Sequence, residues 1–186
     1  MLEIELKFRC PDSDAVERQL KAMGISLATQ TQEIDHYFRP PDRDFAVTGE
    51  AFRLRRVGET NAFTYKGPKR KDTTVKVRTE VELPIQGGGQ GADRAIALVT
   101  GLGYEPVAVV KKSRKSFHTI KDRFEVTMTL DDCGGVGRFA EIEILAEEAD
   151  RERAEAVVRS FAAQLGLTDI EPRSYLRMTL DAKEGN

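Results

Sequence analysis

A chain of 186 residues falls in the size range of one domain, and with 40% hydrophobic residues it can bury a core of its own. Its 29 Lys and Arg stand against 31 Asp and Glu, a net charge of −2, which excludes the basic surface of a nucleic-acid binder or of a protein held on an anionic membrane. No run reaches the roughly 18 apolar residues of a membrane span and the first residues lack the apolar stretch of a secretion signal, so a cytoplasmic location is expected.

Residues 2–9 alternate strictly, with Leu2, Ile4, Leu6 and Phe8 on one side and Glu3, Glu5, Lys7 and Arg9 on the other, the period of a strand. A helix over 12–23 follows: Pro11-Asp12-Ser13-Asp14 offers N-caps, Val16, Leu20 and Met23 recur at helical spacing, and Gly24 ends it. Strands are predicted over 27–39, 52–57, 62–66 and 75–83. Gly87-Gly88-Gly89-Gln90-Gly91 reads as a flexible link, and a helix over 92–100 comes after it. Strands over 105–117, 121–131 and 138–146 bring the count to roughly eight, with Asp131-Asp132-Cys133-Gly134-Gly135 as the turn between the last two. Helices over 151–165 and 173–181 close the chain, which is read as a single domain over 1–186 without internal repeats.

Cys10 and Cys133 have no Cys-x-x-Cys partner and are expected as reduced thiols, and His36 and His118 lack any zinc spacing. Zinc chemistry and a histidine-based triad are thereby excluded.

Charged residues make up 32% of the chain, above the roughly 25% of an average domain. In strand after strand one parity carries them: Glu3, Glu5 and Lys7; Arg53 and Arg55; Lys66; Arg78, Glu80 and Glu82; Lys112 and Arg114; Glu141 and Glu143. A single strand of this kind is an ordinary wet sheet face. A wet face also uses Thr, Ser, Asn and Gln, however, whereas these positions are almost all fully charged. That pattern fits a sheet closed into a barrel with its charges inside and its apolar parity outside, covered by the helices. Carboxylate clusters without His or Cys are hard oxygen donors that suit Mg²⁺ or Mn²⁺, and Arg and Lys facing them suit phosphate oxygens. The implied cargo is a metal-bound polyphosphate.

Taken in order, Glu3-x-Glu5-x-Lys7, Arg53-x-Arg55, Thr64-Tyr65-Lys66-Gly67-Pro68, Arg78-x-Glu80-x-Glu82, Lys112-x-Arg114 and Gly137-Arg138-Phe139-Ala140-Glu141-Ile142-Glu143 resemble the CYTH superfamily of triphosphate tunnel metalloenzymes. Glu5-Leu6-Lys7-Phe8-Arg9 and Glu171-Pro172-Arg173-Ser174-Tyr175 are most similar to its class IV adenylyl cyclase branch. The resemblance implies an α+β fold: an eight-stranded antiparallel tunnel, open at both ends, flanked by helices. It also implies a nucleoside or inorganic triphosphate as substrate and two divalent ions, Mg²⁺ or Mn²⁺. Homodimers are common among such relatives.

Carried over by position, Glu3, Glu5, Asp131, Glu141 and Glu143 match metal ligands, with Glu80 and Glu82 as second candidates. Asp131 is preferred to Asp132 for its spacing to Glu141. Lys7, Arg53, Arg55, Lys66, Arg78, Lys112 and Arg114 match the cations that hold the phosphate chain, of which Lys7, Arg55, Lys66 and Arg114 are the catalytic candidates. Tyr175 would lie near a tunnel mouth, touching base or ribose, or else be a core tyrosine. Lys69, Arg70 and Lys71 make a basic loop between Lys66 and Lys76 that reads as solvated. Two reactions share this lining: cyclisation of ATP to cyclic AMP and pyrophosphate, and hydrolysis of inorganic, thiamine or nucleoside triphosphate.

Overall fold

The computed structural model describes residues 2–68 and 75–184, so the basic loop Lys69, Arg70 and Lys71 lies outside the described residues. In chain order the elements are β1 (Leu2–Arg9), α1 (Ser13–Ala22), β2 (Leu27–Arg39), α2 (Phe45–Thr48), β3 (Ala51–Val57), β4 (Thr60–Lys66), β5 (Lys76–Ile85) and α3 (Gly88–Gly101). They continue as β6 (Glu105–Lys121), β7 (Phe124–Cys133), β8 (Gly137–Ala146), a 3-10 turn (Glu148–Asp150), α4 (Arg151–Gln164) and α5 (Tyr175–Glu184). The eight strands close into one antiparallel barrel in the order β1-β5-β4-β3-β2-β6-β7-β8. Closure leaves no free edge.

The apolar parity faces outward, as the alternation requires. Ile4 and Leu6 of β1, Met128 of β7 and Ile142 of β8 pack under Leu20 of α1 and Phe161 of α4, in a core of almost wholly buried side chains outside the barrel. A second outer cluster sets Phe38 and Leu54 beneath Ala92, Ala95 and Val99 of α3. At one end of the barrel the inward parity itself turns apolar: Tyr37, Val110, Cys133 and Phe139 meet Tyr175 and Met178 of α5. There the charged lining gives way to a hydrophobic plug against α5. Both cysteines are free and buried, and among the described residues no helix is long and apolar enough to cross a membrane.

Local chemistry moves several boundaries. The glycine run at 87–91 is the first turns of α3 rather than a flexible link. A Cβ on Gly91 would lie 2.1 Å from the Gln86 carbonyl oxygen and one on Gly87 2.5 Å from that of Glu59, so these glycines permit close packing. Asn61 Nδ2 donates to the Gln86 and Gly88 carbonyls at 2.9 and 2.8 Å and fixes the turn. The short α2 escaped the helical pattern because one turn shows no period; Asp44 caps it through Ala46 N, and Gly49 ends it at φ 77°. β6 and β7 run on to a two-residue turn in which Asp122 and Arg123 take positive φ, with Asp122 held by Arg153 at 2.7 Å. The β7–β8 turn correspondingly begins at Gly134, leaving Asp131 within a strand and on the inward parity.

The C-terminal segment is tied to β1 rather than merely laid on it. Arg9 N donates to Asp169 O and Glu171 N to Lys7 O, each at 2.8 Å. The buried Glu171 carboxylate accepts from Arg9 at 2.6 Å and from Arg173 at 2.7 and 2.8 Å. Ser174 Oγ accepts from Arg177 N at 3.1 Å and caps the helix, so α5 starts at Tyr175 and not at 173. The bonds from Arg173 hold the Glu171 carboxyl down at about 2, below its ordinary value. A carboxyl lowered in the folded state stabilises it above the unfolded pKa of about 4.3, and that stability is lost as pH falls towards 2. Glu171→Gln is therefore expected to cost about 2 kcal/mol at pH 7 in urea unfolding, with the gap to wild type closing below pH 4; a gap independent of pH would show that the charge is not what holds α5.

Candidate active site

Within the barrel the inward parity lines a cavity of about 460 Å³. Strand register decides which charges meet, since side chains directly opposite on neighbouring strands lie about 5 Å apart at Cβ. Glu3 stands opposite Arg78, Lys7 opposite Glu141, Glu33 opposite Lys112, Asp35 opposite Arg55, Lys66 opposite Glu80 and Arg114 opposite Asp131. Nearly every buried charge thus has an opposite charge as its neighbour. Glu5 is the exception: it has Lys76 on one side, at 2.6 Å, but another carboxylate, Glu143, directly across on the other.

Around that exception lies the acidic end of the lumen. Ligand oxygens of Glu3, Glu5 and Glu143 all fall within 4.8 Å of one another. Glu3 is neutralised by Lys66 and by Arg78 Nε at 3.1 Å, and Lys66 also reaches Glu80 at 2.9 Å. Burial favours the neutral form of Glu5, yet Lys76 and Lys7 hold its pKa well below the ordinary value. Glu143 has no ion-pair partner among the described residues, and burial together with Glu3 pushes its carboxyl up to about 8. An all-oxygen triad with one uncompensated member fits a hard divalent cation such as Mg²⁺ or Mn²⁺.

The other end of the lumen is a network of four cations and four carboxylates. Asp35 accepts from Arg55 Nε and Nη2, both at 2.7 Å, and from Arg53 at 3.2 Å. Glu33 lies 2.9 Å from Arg55 and 3.1 Å from Lys112. Asp131 accepts from Arg114 Nε and Nη2 at 2.7 and 2.5 Å, and Arg114 also reaches Glu141 at 2.5 Å. Tyr175 donates its hydroxyl to Asp131 at 2.7 Å, while Lys7 Nζ lies over its ring at 4.1 Å and Lys112 Nζ at 4.9 Å. Burial, with Lys76 nearby, draws the Lys7 ammonium down to about 8.

Of the carboxylates expected as metal ligands, the fold brings together Glu3, Glu5 and Glu143. Asp131 and Glu141 stand instead with Arg114, because the β6–β7 register sets Asp131 against that guanidinium. Glu80 sits beside Lys66 at the edge of the triad, and Glu82 is exposed on the cavity rim. All seven expected cations line the cavity. Tyr175 is both things at once, a buried member of the plug and part of the cavity wall. Glu33, Asp35 and Lys76 were not singled out in the sequence. Glu33-x-Asp35-x-Tyr37 repeats the charged alternation within β2, and that period was the available signal; Lys76 was absorbed into the basic loop.

Residues 1–175 match the sequence model of the CYTH domain. The chain belongs to the CYTH family. A Methanocaldococcus jannaschii protein provisionally named an adenylate cyclase is 30% identical over 181 residues, covering 96% of this chain and 98% of its own. Aeromonas hydrophila adenylate cyclase CyaB is 28% identical over 184 residues, 93% of this chain and 86% of its own. Among solved structures, the Pyrococcus horikoshii protein PH1819 superposes with a TM-score of 0.82 at 32% identity, covering 96% of this chain and 98% of that one. CYTH enzymes depend on divalent metals, and the acidic triad is where this member has the donors for one.

A cation held only by the folded state raises stability by about 2.7 kcal/mol at a hundredfold excess over its dissociation constant. Mn²⁺ or Mg²⁺ added to chelator-treated protein is expected to raise the melting temperature of wild type by several degrees and that of Glu143→Gln by much less. Equal rises in both would place the cation elsewhere.

Proposed function

We propose that this chain binds a triphosphate in its lumen and, with a divalent cation, performs the class IV adenylyl cyclase reaction, converting ATP to cyclic AMP and pyrophosphate. The carrying observation is the carboxylate triad built around Glu5 and Glu143, placed in one cavity with eight Lys and Arg side chains. Glu3, Glu5 and Glu143 would hold Mg²⁺ or Mn²⁺, which when bound supplies positive charge against phosphate oxygens. The chain's own cations do the rest. Lys66 and Arg78 stand beside Glu3, and Arg53, Arg55, Lys112 and Arg114 carry the positive wall onward, so a polyanion lying along the lumen meets donors throughout. Two donors there are unspent: Arg53 Nε and Thr64 Oγ1 are buried without a hydrogen-bond partner among the described residues.

In the cyclase reaction the ribose 3′-hydroxyl attacks the α-phosphorus in line and pyrophosphate leaves. Positioning and charge stabilisation supply most of the rate. The adenylate cyclase names of the M. jannaschii and A. hydrophila relatives and the Glu171–Tyr175 segment support this branch. A triphosphatase reading has its own observation. The aromatic rings on the cavity wall, Tyr37 and Tyr175, are buried with their hydroxyls engaged by Arg53 and Asp131, and Lys7 and Lys112 lie over the Tyr175 ring. No open aromatic face among the described residues is offered to a purine. In that case water attacks the terminal phosphorus and orthophosphate is released.

Incubation with ATP and, separately, with inorganic triphosphate, each in Mg²⁺ and in Mn²⁺, separates the two. Cyclic AMP with pyrophosphate is the expected product from ATP; orthophosphate without cyclic AMP would establish the triphosphatase, and no turnover of either would reject both. Glu3→Ala and Glu141→Ala are expected to abolish turnover, and wild-type rates in either would remove that carboxylate from the machinery.

A further inference from the structure

Arg55 and Arg114 are held in the same way on opposite sides of the β2–β6 pair. Each faces, on the neighbouring strand and in register, a buried aspartate that takes its Nε and Nη2 side-on: Asp35 for Arg55 and Asp131 for Arg114. Asp35 is 2% exposed, and despite its burial Arg53 and Arg55 keep its carboxyl below the usual carboxylate range. Its Oδ2 also takes Arg53 Nη1 at 3.2 Å, which Tyr37 Oη shares at the same distance. One carboxylate therefore orients both arginines of the Arg53-x-Arg55 motif. Glu33 Oε2 lies 2.9 Å from Arg55 Nη2 without a hydrogen bond to it, so the side-on grip is made by Asp35.

A free arginine side chain has rotamer entropy that must be given up when it grips a ligand. We propose that Asp35 is a positioning residue: it removes that cost in advance by locking the Arg55 guanidinium side-on, leaving the Nη1 amino group for an oxygen of the triphosphate, and it fixes Arg53 with Nε unspent. The inference rests on the triphosphate reading of the lumen. It assigns Asp35 no contact with substrate. Its influence passes through Arg55 and Arg53, and the two substitutions of the Asp35–Arg55 pair should therefore not add.

The test is calorimetric titration of inorganic triphosphate, in Mg²⁺, into wild type, Asp35→Asn, Arg55→Gln and the double variant, with thermal melts of each. Asp35→Asn turns an amide donor toward a guanidinium while keeping the side-chain volume. Each single variant is expected to bind about tenfold more weakly, and the double variant weaker than Arg55→Gln by well under that factor, since the share of Asp35 that passes through Arg53 is all that is left to lose. Wild-type affinity in Asp35→Asn, or a double-variant loss equal to the product of the two singles, would overturn the proposal. Should Asp35→Asn lose its cooperative melt, Asp35→Glu carries the comparison: it keeps the charge but displaces the guanidinium, and is expected to bind several-fold more weakly with an intact melt, whereas undiminished binding rejects the role. Absence of triphosphate binding by wild type would reject the lumen reading itself, and this inference with it. Binding by wild type with additive variants would reject the inference alone.

Discussion

Everything in this fold follows from the need to hold more than a dozen charged side chains inside a barrel with an opposite charge beside nearly every one of them. An ion moved from water into a protein interior loses several kcal/mol of solvation, which only a well-placed counter-ion and its hydrogen bonds offset. Antiparallel register is what places them. Because each strand alternates with a period of two, one register that sets Glu3 against Arg78 also sets Glu5 against Lys76. The same logic pairs Asp35 with Arg55 across β2–β3 and Arg114 with Asp131 across β6–β7. A slip of one residue would drive the whole charged set into the outer hydrophobic layer, so the charges themselves fix the register.

Turning the barrel inside out has a structural consequence. The apolar parity needs a cover, and the helices supply it in separate patches: α1 and α4 over β1, β7 and β8, and α3 over β2 and β3. Stability is thus built outside the strands while chemistry is confined within them, so the lining can be specialised for ligand without weakening the core. The hydrophobic plug under α5 is where the two regions meet. Tyr175 belongs to both, its ring packed against Phe139 and its hydroxyl bonded to Asp131.

Strand alternation made the barrel and its charged interior legible in the sequence, because a period of two over eight segments needs no tertiary information. Less local features were hidden. The glycine run at 87–91 looks flexible until the carbonyls of Glu59 and Gln86 are seen pressed against it. The spacing to Glu141 picked out Asp131 over Asp132 as a lumen residue, but its Arg114 partner is set by the register of two strands, and spacing along one chain does not contain that. Glu33 and Asp35 were readable from β2 by the parity already applied elsewhere; a strand dominated by Thr, Gln and aromatic residues obscured them.

The lumen also divides its labour by charge. Arg53, Arg55, Lys112 and Arg114 are matched by Glu33, Asp35, Asp131 and Glu141, four against four, so that network is neutral without a ligand, and Lys7 stands between the two ends, 3.8 Å from Glu141. At the other end Lys66, Lys76 and Arg78 face Glu3, Glu5 and Glu80, and Glu143, set directly across from Glu5, is held neutral by burial and by Glu3, its carboxyl pushed up to about 8. Like charges set directly opposite are destabilising and have no structural reason to persist. A divalent cation there would displace the Glu143 proton and leave a local excess of positive charge, and a triphosphate laid from that point along the arginines could then exchange with their carboxylates group by group. On this view the metal-binding end recruits the anion, and the neutral network, already ordered by its aspartates, determines where the anion comes to rest.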